Sequence, residues 1–133
     1  MNNKSNPSNT AVSATQLSES SLFQLPDQVR VPKYDRKPVT NGIIHIGVGG
    51  FHRAHQALYM DNYIEQNPGC EWGICGVGLL KYDAKMQDAL QGQDCLYTLV
   101  ERSPEQDTAR VIGSITEYLF APDNAQIVID AIA

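Results

Sequence analysis

Long apolar runs are missing from this sequence. None approaches the ~20 residues of a membrane span, so no membrane helix is expected. Cysteine is scarce: Cys70, Cys75 and Cys95 are the only three, and no two form a CxxC pair. An odd, widely spaced set predicts buried, reduced thiols rather than disulfides or a zinc framework. The opening residues hold Asn, Ser and Thr where a signal peptide needs an apolar core, so the expected compartment is the cytosol. Histidine is scarce as well. His52 and His55 stand three apart, but a zinc site needs three or four ligands, and no metal is expected. Basic charge is short where the chain should fold. From Ile43 onward five Lys/Arg face twelve Asp/Glu, within a net charge of -5. An acidic domain argues against a nucleic-acid partner.

What remains is ordinary for a globular chain. The 133 residues are 42% hydrophobic and 19% charged, enough for one domain with a core. Residues 1–21 are polar and read as a disordered tail. Residues 22–42 carry Pro26, Pro32 and Pro38 and read as an extended arm rather than a helix. Ile43-Ile44-His45-Ile46 is short and β-branched, and suits a strand buried on both faces. A glycine turn, Gly47-Val48-Gly49-Gly50, leads into a helix expected from Phe51 to Gln66, with Asn67-Pro68-Gly69 as its stop. Ala54, Ala57, Leu58 and Ile64 share one face of that helix, and Asp61 interrupts it.

Trp72 to Leu80 predicts a second buried strand, and Asp83 to Leu90 a helix. Leu96–Val100 and Ala109–Gly113, separated by the polar stretch Ser103 to Thr108, predict a β-hairpin. A last helix is expected after Pro122-Asp123-Asn124. The apolar Ala131-Ile132-Ala133 end and a sheet of only two parallel strands predict a fragment of a larger domain.

The strand, glycine turn and helix carry the chemical signal. Free backbone N–H groups and the positive end of a helix dipole favour a phosphate there. Glycine suits both the sharp turn and the close approach of a pyrophosphate. Gly47 and Gly49 fill the first two glycine positions of the dinucleotide fingerprint. His52 stands at the third, and Ala54 is the expected small residue for helix–strand packing. The fingerprint also wants a carboxylate at the end of the second strand, to accept from ribose hydroxyls. Asp83 is the candidate, with a plain helix cap as its competing role. An ionised Asp83 favours NAD over NADP, and Lys81 softens that preference. Arg53 in the first helical turn opposes the dipole, and a cofactor phosphate or a carboxylate would explain it.

The string Gly47-Val48-Gly49-Gly50-Phe51-His52-Arg53-Ala54-His55-Gln56 resembles the cofactor motif of the polyol-specific long-chain dehydrogenases. Cys75-Gly76-Val77-Gly78-Leu79, Gln93 to Leu99 and Val111 to Ile115 resemble family segments in the same order. The resemblance implies a Rossmann-like α/β domain, doubly wound but incomplete over residues 43–133, with an inserted β-hairpin and the helical second domain missing. It implies reversible hydride transfer between mannitol and fructose with NAD as cofactor, by a monomer acting on a small polyol or ketose. By position, Ile46, Gly47, Val48, Gly49, Gly50, Phe51, His52, Arg53 and Ala54 would surround the cofactor pyrophosphate, and Asp83 would take the ribose. Relatives often place an acidic residue where this chain has Tyr82. The family's catalytic lysine lies in a downstream Lys-x5-Asn-x2-His segment, and this sequence has no lysine after Lys85. No catalytic residue is therefore expected here, and the chain alone should be inactive. Two other readings stay open: a fructuronate or tagaturonate reductase of the same family, and a nucleotide-binding module that never catalyses.

Overall fold

The computed structural model describes residues 15–133. Most of the tail expected to be disordered therefore lies outside the described residues. Its last part does not behave as expected. Glu19–Gln24 form a 3-10 helix across the boundary between tail and arm, and Ser21 is buried. The Ser21 hydroxyl donates to the Gln16 carbonyl at 2.9 Å, which gives the polar segment a local hydrogen-bonded fold despite its low apolar content.

Strand β1 (Asn41–Ile46) is followed by two short helices, α1 (Gly50–Ala54) and α2 (Gln56–Gln66). Strand β2 (Gly73–Gly78) and helix α3 (Ala84–Gln91) come next. The hairpin β3 (Tyr97–Glu101) and β4 (Thr108–Ile112) precedes β5 (Ile115–Phe120) and helix α4 (Ala125–Ile132). Strands β1, β2 and β5 form a parallel sheet in that order, and β3 pairs with β4 antiparallel. Parallel neighbours need crossover connections; here the β2-to-β5 crossover contains α3 and the inserted hairpin. No helix among the described residues is long and apolar enough to cross a membrane.

Four expectations need correction. The sheet has a third parallel strand: β5 was overlooked because Thr116 and Glu117 interrupt its apolar pattern. Strand β1 is only half-buried, since β2 alone pairs with it in this sheet, whereas all of β2 is buried between two neighbours. The helix over 51–66 breaks at His55, whose φ of -124° and ψ of -79° leave the helical region. The His55 ring Nδ1–H donates to the Phe51 carbonyl at 2.8 Å and so competes with the backbone for that acceptor. The close packing assigned to Ala54 belongs to Ala57, which is fully buried in the core with Val48 and Ile74. The helix stop at Asn67, the β-hairpin and the last helix form as expected, and Asn124 caps α4 by accepting from the Gln126 N–H at 3.0 Å.

Asp61, the residue that spoils the apolar face of α2, is 1% exposed. Its carboxylate accepts from the Tyr34 hydroxyl at 2.6 Å, from the Gly113 N–H at 2.9 Å and from the Arg110 guanidinium. One buried charge thereby joins α2 to the arm, to β4 and to the start of β5. Arg36 adds a second tie: its guanidinium donates to the carbonyls of Gly113, Asp94 and Ile115 and pairs with Glu19. Asp94 and Cys95 hold φ values of 52° and 60°, unusual for residues other than glycine, and the Arg36 contact falls on that turn.

Removing one partner of a buried ion pair leaves the other uncompensated. Asp61→Ala is therefore expected to cost about 3–5 kcal/mol of stability in urea denaturation. Tyr34→Phe, which removes one neutral donor, is expected to cost about 1 kcal/mol. An unchanged midpoint for Asp61→Ala would show that Arg110 and Gly113 find other partners.

Candidate functional site: the glycine turn and its two cavities

The turn after β1 starts from a backbone constraint. The Gly47 N–H donates to the Val77 carbonyl at 2.8 Å, which carries the parallel ladder one residue beyond the strand. Gly47 then turns with φ +88°, a conformation that side-chain-bearing residues rarely adopt. Val48 dives into the core, so close to β2 that a Cβ on Gly76 would lie 2.5 Å from Val48 Cγ2. Gly49 is the N-cap of α1 and carries no capping side chain. The first N–H groups of a helix have no intrahelical acceptor, so they remain available beside the turn. A Cβ built on Gly47, Gly49 or Gly50 would meet nothing within 4 Å. The turn thus presents bare backbone to open space.

Two cavities meet at Gly47 and Gly49. One, of about 600 Å³, is bounded by His45, Phe51, His52, His55, Gln56 and Tyr59 together with the turn. The other, of about 440 Å³, is bounded by Val48, Tyr82, Asp83, Lys85 and Met86. Of the residues singled out in the sequence, Gly47, Val48, Gly49, Phe51, His52 and Asp83 come together around these spaces. Ile46, Gly50, Arg53 and Ala54 line neither. Among the described residues Arg53 meets no carboxylate: its Nε–H donates to the Gly49 carbonyl at 3.3 Å, and its guanidinium lies 6.0 Å from the Tyr97 ring centroid. Tyr97, which the sequence places in a hairpin strand without a site role, anchors α1 by donating its hydroxyl to the Arg53 carbonyl at 2.6 Å.

Asp83 does not cap α3. Its Oδ2 instead accepts from the Leu80 N–H at 2.9 Å, closing the 3-10 turn Lys81–Asp83 that follows β2. This fixes the carboxylate at the edge of the smaller cavity, across from the glycine turn. Lys85, rather than Lys81, shares that cavity with it. The signal for Lys85 was positional, one helical turn past Lys81, and became meaningful only once α3 was placed.

The larger cavity holds a stacked pair, His45 on His52, with ring centroids 3.6 Å apart and planes 12° apart. His52 is buried, and its Nδ1–H donates to Gln56 Oε1 at 3.0 Å. Its Nε2 has no partner among the described residues. Phe51 is exposed and stacks on His55 at 4.2 Å. His45 carried a signal that the sequence reading passed over: it is the one polar side chain in the Ile43–Ile46 run.

Residues 41–133 match the family described as the mannitol dehydrogenase Rossmann domain. The chain belongs to this family. It is 54% identical over 117 residues to a mannitol 2-dehydrogenase of Phaeosphaeria nodorum, covering 88% of this chain and 20% of that protein. It is 46% identical over 120 residues to mannitol dehydrogenase 2 of Saccharomyces cerevisiae, covering 90% of this chain and 24% of that protein. Among solved structures it resembles Pseudomonas fluorescens mannitol 2-dehydrogenase in a ternary complex with NAD and D-mannitol, with a TM-score of 0.84 and 47% identity. That likeness covers 88% of this chain and 24% of the other. A D-sorbitol dehydrogenase in substrate-free form matches at a TM-score of 0.79 and 39% identity, over 87% of this chain and 24% of the other. The chain spans about a fifth to a quarter of the length of the relatives cited here. The family assignment agrees with the Rossmann-like α/β architecture and the inserted hairpin.

Burial, then the neighbouring His45 and Arg53, lower the pKa of His52, while the Gln56 hydrogen bond opposes the shift. The unfolded ring takes up its proton near pH 6.5, whereas the folded ring resists it to lower pH. In that interval the unfolded chain binds more protons, so stability falls as pH drops below about 6.5. The melting temperature is expected to decrease from pH 7.5 to pH 5.5, and His52→Gln, which cannot ionise, should flatten that decrease. A slope unaffected by His52→Gln would remove His52 from the pH response.

Proposed function

We propose that the chain is the NAD-binding part of a mannitol 2-dehydrogenase, the enzyme type that interconverts D-mannitol and D-fructose. The observation that carries this reading is the bare glycine turn with cavities on both sides and Asp83 across the smaller one. A dinucleotide needs such a divided site: pyrophosphate over the turn, adenosine on the carboxylate side, nicotinamide on the other. The open space over Gly47, Gly49 and Gly50 is where a Cβ would obstruct a phosphate, so the residues present fit the group. The match to a solved mannitol 2-dehydrogenase with NAD and D-mannitol supports the cofactor and the substrate class. Relatives named as mannitol dehydrogenases favour mannitol over the hexuronates, and favour a dehydrogenase over a non-catalytic nucleotide-binding module.

In this reading each side chain has a limited task. The backbone N–H groups at Gly49 and Gly50 hold the pyrophosphate, and Phe51, His52 and Arg53 flank it. Ile46 and Val48 set the strand end and the floor of the turn, and Ala54 closes α1 before the break at His55. Asp83 accepts from the adenosine ribose hydroxyls and repels a 2′-phosphate. NAD, once bound, supplies the carbon that accepts hydride from the alcohol. The family resemblance assigns the base for the alcohol proton to a downstream lysine, and no lysine follows Lys85, so the 133 residues alone are expected not to oxidise mannitol. The reading further takes the protein to be cytosolic and monomeric, to have no nucleic-acid partner and to serve mannitol and fructose metabolism.

Calorimetric titration of the 133-residue chain with NAD and NADP tests the proposal. Charge-assisted hydrogen bonds are worth roughly 1.5–3 kcal/mol, so NAD is expected to bind about tenfold to a hundredfold tighter than NADP. Asp83→Ala should lose most of that preference, with Lys85 as the new phosphate partner. Absence of NAD binding would overturn the reading, and an unchanged ratio in Asp83→Ala would remove Asp83 from the ribose site. Mannitol-dependent NADH formation by the chain alone would contradict the assignment of the proton-accepting step to residues outside it.

A further inference from the structure

Residues two apart on a strand point to the same face, so beyond Ile74 the successive Gly76 and Gly78 leave the carboxyl-terminal half of one face of β2 without side chains. Tyr118 of β5 pairs with Gly76 in register, and its buried ring fills that slot. A Cβ on Gly76 would lie 3.1 Å from Tyr118 Cδ2, and one on Gly78 would lie 2.3 Å from the Tyr118 hydroxyl oxygen. The same Cβ on Gly78 would lie 2.8 Å from Asp83 Cβ. The ring therefore extends from beneath the glycine turn, where Val48 also presses on Gly76, to the turn that carries Asp83. The hydroxyl ends 3.5 Å from the Asp83 carbonyl oxygen.

We propose that Tyr118, seated in the Gly76–Gly78 slot, is a positioning residue that sets the height of Asp83 over the smaller cavity, and with it the choice between NAD and NADP. The proposal rests on the dinucleotide reading of the site and assigns its selectivity to residues that touch no ligand. Asp83 is otherwise held by contacts within its own turn: its N–H donates to the Leu80 carbonyl, and its Oδ2 accepts from the Leu80 N–H, each at 2.9 Å. Those bonds fix the shape of the turn. The Tyr118 hydroxyl and the bare Gly78 fix where that turn sits on the sheet. A methyl group on Gly78 would have to displace either the hydroxyl or Asp83, and a shorter residue at 118 would leave the turn unsupported.

The test measures NAD and NADP dissociation constants by calorimetry for Gly78→Ala, Tyr118→Leu and Tyr118→Phe, each with Asp83 intact and in the Asp83→Ala background. With Asp83 present, Gly78→Ala and Tyr118→Leu are expected to lower the preference for NAD about three- to tenfold, and Tyr118→Phe by less. In the Asp83→Ala background none should change the ratio, because the effect runs through Asp83. A merely structural role would weaken both cofactors equally and leave the ratio alone. That result in folded Gly78→Ala or Tyr118→Phe, checked by circular dichroism, would overturn the proposal even if Tyr118→Leu fails to fold. A ratio shift that persists without Asp83 would overturn it too. Unmutated protein that binds no NAD would instead overturn the dinucleotide reading beneath it.

Discussion

A carboxylate buried in the middle of α2 organises this fold. Asp61 is taken out of water, which is tolerable only with its lone pairs satisfied, and it draws those partners from three separate segments. Arg110 comes from the hairpin, Tyr34 from the arm and the Gly113 N–H from the approach to β5. The apolar contacts of the sheet would hold β1, β2 and β5 together without it. Among the described residues the hairpin strands pair only with each other; the hairpin joins the sheet through the shared apolar core, to which it gives Tyr97 and Ile112, and meets the arm through the bridge of Arg30 with Arg110. The charge adds a directional tie to that packing, and through the Tyr97 hydroxyl on the Arg53 carbonyl the insertion in turn holds α1.

That chain of support explains how a helix as short as α1 can flank a binding turn. Its five residues are too few for an independent helix, and the break at His55 isolates it further from α2. It is held by Tyr97 from the hairpin, by the buried His52 stacked on His45 from β1, and by the Arg53 bond back to Gly49. All these contacts lie behind or beside the turn. The front, over Gly47, Gly49 and Gly50, is left clear. The turn has a supported rear and an open front, an arrangement that lets a ligand approach its backbone without displacing side chains.

The motif region was legible in the sequence because local rules dominate there. A β-branched run, a glycine cluster, an apolar helical face and an Asn-Pro-Gly stop each signal through neighbouring residues. The features that were not legible depend on partners far along the chain. Asp61 looked like a blemish on a helical face because Arg110 is 49 residues away. Strand β5 is masked by Thr116 and Glu117, consecutive polar residues on opposite faces near its start that break the apolar alternation and border a surface cavity. The break at His55 arises from a ring nitrogen competing for a carbonyl, which no periodicity reveals. Asp83 lies in the 3-10 turn after β2, and its hydrogen bond goes backward to Leu80 rather than forward into α3.

The same division separates what builds the site from what reads a ligand. Gly47, Val48, Gly76, Gly78 and Tyr118 act by volume: each permits or enforces a close approach of backbone, and none but Gly47 needs to face the ligand. Phe51, Tyr82 and Lys85 are exposed and bordered by open cavity, so changing them alters what is recognised with little cost to the fold. Asp83 belongs to both groups. One carboxylate oxygen closes a turn and the residue also borders the cavity, so its position follows the sheet while its charge lies at the cavity edge. On the proposed dinucleotide reading, selectivity is inherited from strand packing, and a methyl group on Gly78, set against Asp83 and Tyr118, acts on cofactor choice through the geometry it imposes on one carboxylate.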